Sequence, residues 1–169
     1  MDVHYRVDGL TASALAEAHH RDLQSQERHG VRFRSYWFDE STGKVFCLAE
    51  APSGKAMDDC HREAHGILAD EIVSVSEYGL DHGGTGAISL CMDQHFRFEG
   101  LTPERIAETI EFHTEAGSKH GVRWLKAWYD AGSGRLFCLS ESPNPDAHTA
   151  VHDEAGILVD EVVQVTEGL

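Results

Sequence analysis

A single internal duplication limits the folds open to this chain more than any other feature of its sequence. Residues 1–4 (MDVH) return as residues 92–95 (MDQH), and residues 29–32 (HGVR) return unchanged as residues 120–123. Both pairs are separated by 91 positions, so one long segment has been copied in register. Two copies are fewer than the three or so repeats that a solenoid needs, and the pattern therefore indicates a duplicated domain.

The duplication sets the domain boundaries that we expect. The first repeat covers residues 1–78, residues 79–91 form the linker and the start of the second repeat, and the second repeat covers residues 92–169. Glycines, which interrupt regular structure, mark the linker. A unit of about 80 residues is near the lower size limit of a domain and buries a modest share of its surface, so two copies gain by packing together.

Both repeats show the order strand, helix, strand, strand, helix, strand. In the first repeat, residues 2–7 alternate as a strand, and Thr11 is a suitable N-cap for a helix that ends near Arg28. The turn at residues 40–43 predicts a hairpin. The remaining elements are predicted at residues 31–39 and 44–51 for the hairpin strands, 54–65 for the second helix and 71–77 for the last strand.

The order βαββαβ is that of the ferredoxin-like fold, in which two helices cover one face of a four-stranded antiparallel sheet. The chain is therefore predicted to be an α+β protein made of two ferredoxin-like repeats. Because each sheet leaves one face bare, we expect the two sheets to stack face to face as a pseudo-dimeric α+β barrel within one chain. The chain is then a monomer with an internal pseudo-dimer, and a homodimer of the whole chain is the alternative.

The composition excludes several classes of partner. A formal net charge of −15 argues against nucleic acid and against an anionic membrane surface, because both attract basic proteins. The chain has no run of about 18 apolar residues. Its four cysteines lack a Cys-x-x-Cys pair, which predicts free thiols in a reducing cytoplasm. Histidine is in excess, at 12 of 169 residues, and this indicates either a titratable surface or metal ligation.

Polar and apolar residues alternate on the first strand of each repeat. The alternation predicts that Val3, Tyr5 and Val7 face the helices. The polar residues then face the other sheet, where they meet in one cavity: Asp2, His4, Arg6, Asp93, His95 and Arg97. Buried charges need partners or a ligand, so this cavity is a candidate site. A solvated sheet face fits the same alternation equally well.

Two histidine pairs lie on the second helices. His61 and His65 are four residues apart, as are His148 and His152, so each pair shares a helix face with about 6 Å between its Cβ atoms. Imidazole pairs suit nickel, zinc or copper. The alternative is a pair of exposed histidines at a helix C-terminus, where the macrodipole favours them.

The first helix adds a candidate pair of ligands that only one repeat contains. His19 and Asp22 are three residues apart and share a face. The second repeat has Ile110 and His113 at the aligned positions, so a site that uses this pair is asymmetric between the repeats.

These residues resemble the small DUF4242 family. The resemblance is carried by the segments 1–4, 18–26, 30–37, 45–52 and 61–66, and it covers both repeats, most strongly the first. It implies a ferredoxin-like fold and nickel binding, and one actinobacterial member of the family works as a homodimer. By the same resemblance the first repeat keeps a fuller set of ligands, whereas the second holds a weakened or altered site.

Two functions remain as the main hypotheses, and a third possibility is a structural or interaction module in which one copy only scaffolds the other. The first is a cytoplasmic protein that binds a divalent transition metal, with nickel favoured over zinc or copper, and sequesters, buffers or delivers it. Its ligands are expected, in this order, to be His61 and His65, then His4 with Asp2, then His19 with Asp22, together with His152 and His148 of the second repeat. Ligation needs neutral imidazole, so affinity should fall below about pH 6.5.

The alternative is a small α+β-barrel enzyme, an isomerase, cyclase or cofactor-poor monooxygenase, by analogy of fold alone. Its general base would be His4 or His95, and Arg6 and Arg97 would hold the substrate in the cavity between the sheets.

Overall fold

The computed structural model of the chain describes residues 1–80 and 89–168. The elements of the first repeat are β1 (Asp2–His4), α1 (Ala12–His29), β2 (Arg32–Asp39), β3 (Lys44–Glu50), α2 (Gly54–Ala64), β4 (Glu71–Ile72) and β5 (Ser76–Gly79). Those of the second are β6 (Leu90–His95), α3 (Pro103–His120), β7 (Arg123–Asp130), β8 (Arg135–Glu141), α4 (Pro145–Ala155) and β9 (Glu161–Gly168). The predicted α+β class is confirmed.

The chain forms two compact units. The first unit contains residues 1–74 and the end of β9 from Thr166, and the second unit contains Val75–Val165. In the first unit the strands follow the order β4-β1-β3-β2-β9, and in the second the order is β9-β6-β8-β7-β5. Every neighbouring pair is antiparallel.

The last strand of the first repeat differs from its prediction. The segment predicted as one strand over residues 71–77 forms β4 and β5, and β5 pairs with β7 in the second unit. Likewise, the end of β9 pairs with β2 in the first unit, where Trp37 is opposite Glu167. Each of these segments satisfies the backbone groups of a strand that would otherwise be a sheet edge.

The predicted linker overlaps these elements at both ends. Gly79 belongs to β5, and the residues from Leu90 onward belong to β6. Residues 81–88 of the predicted linker, including Gly83, Gly84 and Gly86, lie outside the described residues.

The helices begin and end where their sequence signals place them. Thr11 caps α1 by accepting a hydrogen bond from the amide of Ala14, and Thr102 does the same for α3. Gly30 ends α1 with φ at +66°, a left-handed conformation that glycine adopts without strain. The helix pairs α1 with α2 and α3 with α4 pack together, which brings the histidines of α2 and α4 towards α1 and α3.

The predicted orientation of the first strands was wrong. Val3 is buried, but Tyr5 is 46% exposed and lies beyond the end of β1. Asp2 and His4 are both buried, and Asp2 is hydrogen bonded to His61 of α2, so the polar side of β1 faces the helices. The hydrogen bond from His61 compensates the cost of burying the carboxylate of Asp2. The alternation of polar and apolar residues does not show that such a partner is available.

The arginines of the same stripes do not share this site. Arg6 and Arg97 lie beyond the ends of β1 and β6, and both are exposed. Arg6 pairs with Asp8 two residues away, at a distance of 3.1 Å. Arg97 nevertheless lines a pocket of about 500 Å³ together with His95, whereas Arg6 does not line the cavity that contains His4. Only one of the two predicted arginine and histidine pairs is therefore gathered.

The cysteines and the helices bear on the environment expected for the chain. All four cysteines are buried free thiols: Cys47, Cys60, Cys91 and Cys138. Among the helices of the described residues, none combines the length and the apolar character required to cross a bilayer.

Candidate metal centre

His61 is the centre of the polar cluster in the first unit. Its Nδ1 donates to Asp22 Oδ1 at 2.9 Å, and its Nε2 donates to Asp2 Oδ2 at 3.0 Å. The imidazole is only 1% exposed. Burial alone would lower its pKa, but the hydrogen bonds and charges of Asp2 and Asp22 raise the pKa of His61 to about 10. The cluster thus holds one cationic group between two carboxylates.

His65 is the second histidine of the helix pair and ends α2. Its Nε2 lies 3.3 Å from Asp22 Oδ2, and its Nδ1 accepts a hydrogen bond from the amide of Ile67. The rings of His61 and His65 are 5.1 Å apart. Burial would raise the pKa of Asp22, whereas hydrogen bonds from both histidines lower it. Asp22 of α1 therefore binds both histidines of α2, as the predicted ligand set requires.

His4 and His19 complete the same cluster. His4 Nε2 is 3.9 Å from Asp2 Oδ1, and its ring is 5.7 Å from that of His61. The ring of His19 is 4.5 Å from that of Tyr36. Burial lowers the pKa of both His4 and His19, so both favour the neutral form that binds metals.

A cavity of about 170 Å³ gives access to this cluster. Its lining includes the five predicted ligands His4, His19, Asp22, His61 and His65. Asp2 lies beneath His61, and its buried Oδ1 has no hydrogen-bond partner within the described residues. The structure thus brings together all six first-repeat residues that the sequence singled out for metal binding.

Cys47 is a member of this neighbourhood that was predicted only as a buried thiol. Cys47 is opposite Asp2 in the pairing of β1 with β3. The possible ligand atoms of Asp2, His4 and Cys47 all lie within 4.8 Å of one another. Burial raises the pKa of the Cys47 thiol well above its usual value, which keeps it protonated and a poor ligand. Only the strand register, which the sequence does not state, could have indicated this contact.

The donor set of the first unit fits a borderline divalent ion. It contains imidazole nitrogens and carboxylate oxygens, which nickel, zinc and copper accept. The unpaired Asp2 Oδ1 is an acceptor that a bound cation would satisfy.

A second cluster occupies the equivalent place in the second unit. His148 Nε2 donates to Asp93 Oδ2 at 2.8 Å, and His148 Nδ1 lies 2.8 Å from Ser140 Oγ. His152 Nε2 is 3.7 Å from Asp93 Oδ2, and His95 Nε2 is 3.5 Å from Asp93 Oδ1. The two predicted ligands of α4 are therefore gathered, and His95, predicted as a general base, lies with them.

His113 of α3 belongs to this cluster, although no role was predicted for it. Its ring is 4.5 Å from that of His152 and stacks on Trp124 at 4.9 Å. The signal was already in the alignment, where His113 stands at the position of Asp22. What the alignment could not show is that the packing of α3 on α4 brings this position to His152.

The buried state of His113 predicts how the stability of the metal-free protein depends on pH. Burial, followed by the charge of His152, lowers the pKa of His113 to about 3, whereas the unfolded chain takes up this proton near pH 6.5. His113 therefore makes unfolding easier as pH falls below about 6.5, and it contributes about 1.4 kcal/mol per pH unit until about pH 3. Urea unfolding of the metal-free wild type and of a His113→Phe variant between pH 7 and pH 4 measures this slope. We expect a shallower slope in the variant, and equal slopes would contradict the assignment.

The chain is similar in sequence to one family of proteins and to one solved structure. A family model described as "Nickel responsive protein SCO4226-like" matches residues 1–75 and 92–165. The crystal structure of SCO4226 from Streptomyces coelicolor A3(2) is 31% identical in sequence to the aligned part, which covers 44% of this chain and 93% of that one, with a TM-score of 0.43. No curated protein matches the chain.

Proposed function

This chain belongs to the SCO4226-like family of nickel responsive proteins, and from that premise we propose that it binds a divalent transition metal ion, nickel by preference, through the cluster of its first unit. The ion would be held by His61 and His65, with Asp22, Asp2, His4 and His19 as the further donors. Such a protein would sequester, buffer or deliver nickel.

One observation carries this proposal: His61 and His65 meet Asp22 beside a cavity that His4 and His19 also line. Nickel accepts such a mixture of nitrogen and oxygen donors. The cavity offers a route by which an ion can enter and leave, which a buffering or delivery role needs. The enzyme alternative is less well supported, because His4 and His95 line different pockets and Arg6 does not line the one that contains His4. Arg97, in contrast, lines a pocket with His95.

We also propose that the two halves of the chain are ferredoxin-like repeats. The second half of the chain has the order βαββαβ, and the first half has the same order except that its last strand is divided into β4 and β5. This supports two ferredoxin-like repeats arranged in tandem, the pattern that the DUF4242 resemblance implies. The stacking of the two sheets, a single-chain or homodimeric state and a cytoplasmic location remain predictions.

Nickel affinity should fall as the pH is lowered, because protons compete with the ion for the same imidazoles. The raised pKa of His61 means that this competition already operates above pH 6.5, up to about pH 10. Calorimetric titration of the untagged protein with nickel between pH 6 and pH 9 measures the effect. A flat profile, or the absence of binding throughout, would contradict the proposed function.

A further inference from the structure

We propose that the second unit holds a metal site of its own, with a different donor set: a buried site of three histidines and one carboxylate. The ligands are His95, His113, His152 and Asp93, and the class of ion is a four-coordinate divalent metal such as zinc. Nothing in this proposal requires that the first unit binds nickel.

Four buried polar atoms of this cluster lack a hydrogen-bond partner among the described residues: Asp93 Oδ1, His95 Nε2, His113 Nε2 and His152 Nε2. The residues that carry them are at most 2% exposed. Leaving one such atom unpaired in a protein interior costs about 1–3 kcal/mol, so unpaired atoms are normally few and scattered. One carboxylate oxygen and three imidazole nitrogens unpaired in one cluster indicate that it is built for a ligand that accepts their lone pairs.

The hydrogen bonds on the far sides of two rings fix which nitrogen is available. His95 Nδ1 donates to the carbonyl of Leu158 at 2.7 Å, and His152 Nδ1 donates to the carbonyl of His148 at 3.1 Å. In a neutral imidazole the other nitrogen, Nε2, then carries a lone pair. A backbone carbonyl that holds Nδ1 in this way is the usual support of a histidine metal ligand.

Two of these nitrogens lie close to the carboxylate of Asp93, so one cation could contact all three groups. The Nε2 atoms of His95 and His152 are 3.5 Å and 3.7 Å from the oxygens of Asp93. In a four-coordinate site with bonds of 2.0–2.1 Å, neighbouring ligand atoms are about 3.4 Å apart. The 3.5 Å between His95 Nε2 and Asp93 Oδ1 is close to that value, so an ion bound at Oδ1 needs little movement of these two side chains.

His148 has a different task, which is to position Asp93. Its Nε2 donates to Asp93 Oδ2, and Ser140 Oγ is within hydrogen-bond distance of its Nδ1. Asp93 Oδ1 is left for the ion. Met57 occupies the aligned position in the first repeat, and Ala49 aligns with Ser140, so this support exists only in the second unit.

Large apolar residues lie beside the second site. Ile110 stands where the first repeat has His19, and Trp124 stands where it has Phe33. Both residues are buried in an apolar cluster that also contains Leu101, Ile106, Leu136 and Val151. Closed sites with a full set of protein ligands are typical of structural metals, whereas an open position is typical of sites that exchange. We therefore expect the second unit to release its ion slowly.

The test uses the full, untagged chain with zinc and cobalt as probes. We expect two ions per wild-type chain by native mass spectrometry and elemental analysis. A His61→Ala/His65→Ala variant should retain one ion that resists a chelator, and cobalt in this variant should give the strong visible absorption of a four-coordinate centre. A His113→Phe change in that background preserves an aromatic ring against Trp124 and should abolish this retention, as should His95→Gln, with circular dichroism and thermal melts confirming that both variants fold.

The possible outcomes separate the two sites. If the His61→Ala/His65→Ala variant binds no ion, or if the His113→Phe and His95→Gln changes leave its ion in place, the second site is refuted. If the wild type holds only an ion that His113→Phe removes, the second site stands and the first unit binds neither zinc nor cobalt.

Discussion

Replacing His61 by alanine should weaken nickel binding by the first unit by more than about 100-fold. Even residues that only orient a metal ligand contribute about 10–100-fold to affinity, and His61 is itself a proposed ligand. The change also separates Asp2 from Asp22, which His61 joins through its two ring nitrogens. Calorimetric titration with nickel at constant pH, set against the wild type, measures the loss.

A matched control comes from the same pair of helices. His20 on α1 is exposed and contacts Gln24, outside the cluster, so His20→Ala should leave nickel affinity unchanged. His65→Ala tests the cluster without disturbing the bridge between Asp2 and Asp22, and it should lower affinity as well. Wild-type affinity in both cluster variants would show that nickel binds elsewhere.

The second large effect concerns stability. Replacing Asp93 by alanine should destabilise the metal-free protein by about 3 kcal/mol, because it leaves the buried Nε2 of His148 without its acceptor. Burial would raise the pKa of Asp93, but the hydrogen bond and charge of His148 hold it well below its usual range, so the carboxylate stays charged in the folded protein. For a chain of this length the melting temperature should fall by roughly 6–12 °C.

The control for this change is an aspartate with the same charge in a different environment. Asp8 is 90% exposed and pairs with Arg6, which is itself 78% exposed. Surface pairs of this kind contribute little, so Asp8→Ala should change the free energy of unfolding by less than about 0.5 kcal/mol. Equal effects of the two substitutions in thermal or urea unfolding would mean that the buried network of Asp93 is not stabilising.

The helices show how far local signals reach. Thr11 and Gly30 mark the ends of α1, and both the capping hydrogen bond and the left-handed glycine are present in the structure. These signals act over three or four residues, so the sequence contains all that they need. The last strand of the first repeat was not predictable in the same way, because β5 forms against β7, a strand about 50 residues away.

The candidate sites, too, were predictable where local spacing decides and not where tertiary packing decides. The helical spacing of His61 and His65 correctly placed two imidazoles on one face. The alternation along β1 showed that Asp2 and His4 share a side but not which side is buried, and the prediction chose the wrong one. A period-two pattern shows which residues share one face of a strand. It does not show which face is buried, because that depends on the elements that pack against the sheet.

The sequence by itself determined the duplication, the α+β class and the residues that could ligate a metal, because each follows from composition or from spacing within a few turns of chain. Only the tertiary structure decided that Asp2 meets His61, and that His113 joins His95 and His152 around Asp93. These contacts join residues up to 59 positions apart. The packing of helices on sheets creates these contacts. The same packing determines how much water each charged group loses, and hence how strong the hydrogen bonds that replace this water must be.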